Sequence, residues 1–271
     1  MDISPLSWLG VPAAGYLLAA AALFGLQERL VFPAPRMMVD PPQGWELPGQ
    51  PTTVISGGLA LSGWHLPGGE GRPTALFFNG NNANLSMAKP YARLLRALDW
   101  GVMLFDPRGY GLSPGVPSEE GFYQDAEAVR AHLIHALGAD PERLVYFGVS
   151  LGGGSALWLA ERHPPRAVIL EGTFTSLPDV AAERFPIFPI RWMSRIHFPN
   201  EQRIARVDRP VLLIHSQDDE VVPYPHAGRL LAAAAGPKRL ITSRGGHNQG
   251  PHISPPGLAE ALRELTDGGL P

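Results

Sequence analysis

The chain has 271 residues, a formal charge of -3, 45% hydrophobic and 17% charged residues. That is ample apolar sequence for a large core and excludes intrinsic disorder. The near-neutral balance, without a run of Lys or Arg, argues against nucleic acid as a partner, and the absence of cysteine excludes disulfides, a thiolate nucleophile and Cys-ligated metal sites.

At the N-terminus the 24 residues from Ile3 to Leu26 carry no charge, and a membrane span needs about 20. Pro5 and Pro12 weaken the first half, so the best helical part is 13–30. A membrane anchor over 1–30, single-pass or monotopic, is the favoured reading. A partner-packing helix and a cleaved signal peptide are the alternatives. The signal peptide suffers because residues 1–12 hold no Lys or Arg, and Arg29 and Arg36 after the span place the main domain on the cytoplasmic face. Residues 31–52 hold Pro33, Pro35, Pro41, Pro42, Pro48 and Pro51 and read as an extended linker, which leaves 53–271 as a catalytic domain.

From there short apolar runs rich in Val, Ile and Phe alternate with segments of helical spacing. Strands are predicted over 59–66, 74–79, 102–106, 144–148, 167–171, 211–215 and 239–242. Helices are predicted over 85–98, 119–137, 151–162, 225–235 and 256–265. In the second, Phe122, Ala126, Val129, Leu133 and Leu137 form one face, with Ser118 as N-cap. Such alternation implies an α/β fold, a mostly parallel sheet with helices on both faces, in which ligands sit beyond the carboxyl ends of the strands.

Those strand ends carry an ordered set. After the run 144–147 comes Gly148-Val149-Ser150-Leu151-Gly152, a G-x-S-x-G between a strand and a helix. Small neighbours let a serine sit in a tight turn, and the helix that follows aims its free N–H groups where an oxyanion would form. The motif alone is weak, with about 0.2 chance matches expected in a chain of this composition; its setting strengthens it. The strand at 211–215 is followed by Asp218, Asp219 and Glu220, any of which could be an acid partner, with Asp219 favoured. The strand at 239–242 is followed by Gly245-Gly246-His247. Ser, acid and His in that order, each after a strand, is the chain order of α/β hydrolases and of neither protease class. Of the other histidines near this rim, His215 reads as structural at the end of its strand, His226 as surface, and His252 as a less favoured base.

The chain resembles the α/β hydrolases, and within them the membrane-anchored group that includes protein depalmitoylases. The similarity runs over roughly residues 27 to 265. It is carried by Phe77-Phe-Asn-Gly-Asn-Asn-Ala-Asn84, Phe105-Asp-Pro-Arg-Gly-Tyr-Gly-Leu-Ser113, the serine elbow, Glu171-Gly-Thr-Phe-Thr-Ser176, Asp219-Glu-Val-Val-Pro223 and Gly245-Gly-His-Asn248. The resemblance implies Ser150 as nucleophile, Asp219 as acid and His247 as base, with the backbone N–H groups of Asn81 and Leu151 as the oxyanion hole. It also implies that Asp106 and Arg108 hold the supporting loop. The group usually has His-Gly where this chain has Asn79-Gly80.

Residues 172–207 are longer than a crossover needs and read as a cap. Its Phe185, Phe188, Trp192 and Met193 are either its own core or an apolar wall for an acyl chain. The expected activity is a membrane-associated serine hydrolase of carboxylic esters or thioesters, with an acyl or lipid substrate as partner. A peptidase of the same fold and a non-catalytic lipid-binding or scaffold protein are the alternatives; an active-site-directed probe separates the second. No cofactor is expected: Gly148–Gly154 lacks the Lys-Ser/Thr of a P-loop, and no paired-His spacing suggests a metal.

Overall fold

The structure, a computed structural model, describes residues 5–248 and 255–267, with side chains from residue 13 onward. His252 lies outside the described residues. An N-terminal helix, α1 (Pro5–Val31), leads into an eight-stranded sheet of order β1-β2-β4-β3-β5-β6-β7-β8. The strands are β1 (Gln50–Ser56), β2 (Leu59–Leu66), β3 (Thr74–Phe78), β4 (Gly101–Phe105), β5 (Leu144–Val149), β6 (Ala167–Glu171), β7 (Val211–Ser216) and β8 (Lys238–Ser243). β2 runs antiparallel to both its neighbours, β1 and β4; from β4 to β8 every pairing is parallel.

The alternation of side chains along these strands assigns the two faces. Ala75 and Phe77 of β3, Val145 and Phe147 of β5 and Leu212 and Ile214 of β7 pack beneath α2 (Lys89–Arg96) and α9 (Leu258–Asp267). Leu76, Tyr146, Val168 and Leu213 face the opposite way, under α3 (Glu119–His135), α4 (Gly152–Arg162) and α8 (Pro225–Ala233). Ser118 caps α3 by accepting from the Gly121 N–H, and Glu119 and Glu120 occupy the positive end of that helix. Between β6 and β7 the cap holds α5 (Leu177–Arg184), α6 (Ile190–Met193) and α7 (Asn200–Ile204).

Two segments differ from the sequence reading. The expected span is not met: among the described residues no helix is long and apolar enough to cross a membrane. Alanines and two glycines dilute residues 13–25, and Gln27, Glu28 and Arg29 close the helix with polar groups. α1 lies against the cap instead. Tyr16 donates to the Ile187 carbonyl and stacks on Phe188 at 5.0 Å, and Gln27 donates to the Met193 carbonyl and accepts from the Arg195 N–H. The proline-rich stretch that follows is strapped to the body. The buried Asn84 side chain donates to the carbonyls of Pro35 and Met37, Ser86 accepts from the Val39 N–H, and Trp45 is buried. The end of that stretch is a strand. β1 pairs with β2 around a two-residue turn, Gly57-Gly58, whose φ values of 55° and 84° are the left-handed backbone such a hairpin demands. Pro51, which cannot donate to a ladder, is tolerated because β1 is the sheet's edge.

Candidate active site

The site assembles at the carboxyl ends of β5, β7 and β8. The β5–α4 turn places Ser150 in a left-handed conformation, φ 51°, that a serine adopts only when its surroundings enforce it. They do so here: the Ser150 N–H donates to the Glu171 carbonyl at 2.7 Å, and Thr173 donates to the Ser150 carbonyl at 3.2 Å. The turn tolerates no side chain at its far side, since a Cβ on Gly152 would stand 2.2 Å from the Phe78 carbonyl oxygen.

His247 Nε2 lies 3.0 Å from Ser150 Oγ, and His247 Nδ1 lies 2.7 Å from Asp219 Oδ2. A carboxylate only accepts, so the imidazole carries its proton on Nδ1 and leaves Nε2 free to accept from the serine hydroxyl. The run of three acids divides its labour. Asp218 accepts from the Gly245 N–H and from Arg244, Asp219 takes the imidazole, and Glu220 accepts from the His247 backbone N–H at 3.0 Å. Ser216 adds a bond to the Gly245 carbonyl. The two outer acids thus fix the loop that brings the middle one its histidine.

Asp219 is nearly inaccessible, yet it is held ionised. Burial would raise its carboxyl, but hydrogen bonds from His215, His247 and the Val222 N–H hold it well below the usual carboxylate range. Its Oδ1 accepts from the N–H groups of Val221 and Val222 at 2.9 and 2.7 Å. His215, read as structural, is buried at the end of β7. Its Nε2–H donates to the Val222 carbonyl at 2.8 Å and stands 3.4 Å from Asp219 Oδ2. The acid therefore sits between two imidazoles, an arrangement for which the sequence offered only a histidine four residues before an aspartate. His226 is also buried and not at the surface: its Nδ1 accepts from the Thr175 N–H and lies 2.8 Å from the Thr175 hydroxyl, and Glu183 lies 3.4 Å from Nε2.

Leu151 follows Ser150 in the turn, and Asn81 follows Gly80, where a Cβ would stand 3.5 Å from Ser150 Cβ. Among the described residues neither backbone N–H is taken by another group, which leaves both donors available to an oxyanion. The Asn81 side chain donates to the Val31 carbonyl at the end of α1. The loop behind them hangs on Asp106, which accepts from the N–H of Leu85 at 2.7 Å and of Leu112 at 3.3 Å. Arg108 is clasped by the fully buried Asp125 of α3, which also accepts from Ser56 of β1.

Burial pushes the Asp106 carboxyl up to about 6, against those two N–H bonds. In the unfolded chain it titrates near 3.9. Between these values the folded state keeps a proton that the unfolded state has lost, so this group stabilises the fold fully below about pH 4 and the contribution is lost as pH rises through about 6. Urea unfolding of the wild type should therefore weaken by about 2 kcal/mol between pH 4 and 6 relative to Asp106→Asn, which cannot titrate. Parallel pH profiles would refute the buried carboxyl.

A family model described as alpha/beta hydrolase fold matches residues 73–195. The Mycobacterium tuberculosis protein Rv2307c is 42% identical over 212 residues, 77% of this chain and 75% of that protein. The chain belongs to the α/β-hydrolase family. The alpha/beta hydrolase domain-containing protein WAV2 of Arabidopsis thaliana is 34% identical over 199 residues, 66% of this α/β hydrolase and 64% of WAV2. Among solved structures, the Pyrococcus furiosus esterase Pf2001 superposes with a TM-score of 0.71 at 16% identity, covering 86% of this chain and 96% of that one, a likeness of fold.

The cap residues expected to line an acyl site separate in this hydrolase. Phe185 and Met193 border an apolar cleft, Phe188 is spent on its stack with Tyr16, and Trp192 is 92% exposed. The other wall of that cleft is α1, through Leu23, Leu30 and Val31. Sequence reasoning missed it because an apolar N-terminal helix looks the same whether it faces lipid or a groove.

Proposed function

We propose that this α/β hydrolase is a serine hydrolase that cleaves carboxylic esters or thioesters of acyl substrates through an acyl-enzyme. One observation carries the reading: the unbroken relay from Ser150 Oγ to His247 Nε2 at 3.0 Å and from His247 Nδ1 to Asp219 at 2.7 Å. Ser150 attacks the acyl carbon while His247 takes its proton. The oxygen that becomes negative is held by the N–H groups of Asn81 and Leu151. The imidazolium, stabilised by Asp219, then returns the proton to the departing alcohol or thiol. Water, activated by the same histidine, releases the acid and restores Ser150.

An acyl substrate is supported by the apolar cleft beside the site, and a lipid interface by the outer surface of α1. Leu17, Leu18 and Leu26 are exposed there, and the exposed Trp192 directly precedes Met193, whose carbonyl Gln27 of α1 grips. A helix of this kind lies on a bilayer and does not cross it. The deciding experiment treats the full chain with a fluorophosphonate and maps the adduct by mass spectrometry. Modification of Ser150, matched by loss of p-nitrophenyl ester hydrolysis, is the expected result; an active enzyme left unmodified, or modified at another serine, sinks the reading.

A further inference from the structure

Deacylation chemistry fixes only where the acyl carbon sits; the rest of the acyl chain must leave the triad in some direction. The space directly beside the triad, bordered by Val149, Gly172, Ile214 and Ser216, amounts to about 10 Å³, room for one water at most. The chain cannot go there. The cavity between the end of α1 and the first cap helices has about 400 Å³. A methylene takes up about as much volume as a water, about 30 Å³, so such a cavity holds on the order of a dozen carbons.

Position and chemistry both tie this cavity to the triad. Glu220 and Val221, the two residues after Asp219, form part of its rim. Its walls, Leu177 and Val180 of α5, Ile196 of the cap and Val31 of α1, belong to or pack against the buried cluster that contains Leu151, one of the two candidate oxyanion donors. The cleft between Glu28, Glu119, Glu120 and Arg195 is comparable in volume, about 440 Å³, but charged groups line it, and an alkyl chain would strand them without water.

We propose that the substrate's unbranched acyl chain lies between α1 and the cap, which makes the N-terminal helix a wall of the substrate site. The assignment rests on the acyl-transfer reading above and names the part of the molecule that measures chain length. It also gives the Gln27–Met193 and Tyr16–Ile187 bonds a purpose: they hold the two walls at the separation an alkyl chain fills.

The test fills the cavity from each side in the full-length chain, with Leu23→Trp on α1 and Ala181→Trp on α5. Each is expected to lower the ratio of kcat/KM for p-nitrophenyl dodecanoate to that for the butyrate by at least about tenfold. Val180→Ala, which removes bulk from the same wall and burdens folding least, is expected to move the preference toward longer chains. Laurate binding to these variants in the Ser150→Ala background, measured by calorimetry, reads the site without turnover and should weaken by about the same factor for the two Trp variants. Unchanged chain-length ratios and unchanged laurate affinity in variants that retain the wild-type circular dichroism would overturn the assignment. Laurate binding that the Trp variants weaken, in a chain that hydrolyses no ester, would keep the site and refute the hydrolase.

Discussion

Ser150→Ala and His247→Ala are each expected to lower kcat for p-nitrophenyl ester hydrolysis by about 10⁶, and the double variant by no more than either alone. The nucleophile and base act as one unit across their 3.0 Å contact. Once one is gone the other has nothing to do, so the two losses must not add. A residual rate on the order of 10³ to 10⁴ above water should remain in all three variants, because the Asn81 and Leu151 N–H groups and the substrate site are untouched. Steady-state kinetics on the three proteins settle it. If the double variant lost the product of the single effects, the two side chains would be working separately and the relay would be wrong.

Asp219→Asn is expected to cost about 10⁴ in kcat with little change in KM. The reason lies in which amide atom goes where. The position of Oδ1 receives two backbone N–H groups, from Val221 and Val222, and must remain an oxygen. The new NH₂ is therefore forced into the position of Oδ2, facing His247 Nδ1 and, 3.4 Å away, His215 Nε2–H. Donor would oppose donor, and the imidazole would escape by moving its proton to Nε2, the nitrogen that has to accept from Ser150. NMR of the imidazole nitrogens should report the tautomer change directly, and a variant that kept Nδ1 protonated would disprove this account. The native carboxylate, held far below its usual range by burial-resisting hydrogen bonds, has the pH signature opposite to that of Asp106. Its stabilising contribution is present above about pH 4 and drains away as pH falls.

How far the sequence could be read depended on whether a feature was local. The elbow, the acid run and the Gly-Gly-His loop each follow a strand within a few residues, so the three candidate side chains could be named before any coordinates. Asp219 was favoured over Asp218 and Glu220, but the division of labour among the three was hidden, because it depends on a loop arriving from β8 to engage all of them. β1 was hidden by Pro51 and the prolines before it, although Gly57-Gly58 between two alternating segments is itself a hairpin signal. His226 was misplaced since its first-turn position on α8 says nothing about the cap that closes over it. The helix over 13–30 was found, but its destination was not. Apolar periodicity identifies a face that needs covering and is silent on whether lipid, cap or substrate does so.

The bond from the Asn81 side chain to the last carbonyl of α1, together with the grip of Asn84 on Pro35 and Met37, means that the segment from Val31 to Met37 is bolted to the loop proposed to receive developing negative charge. Truncating the chain at residue 53 would therefore strip an amide in the buried interior of both its acceptors and loosen the donor opposite Ser150, even though no catalytic side chain is removed. Where the leader rests and how fast the enzyme turns over are, in this molecule, a single mechanical question.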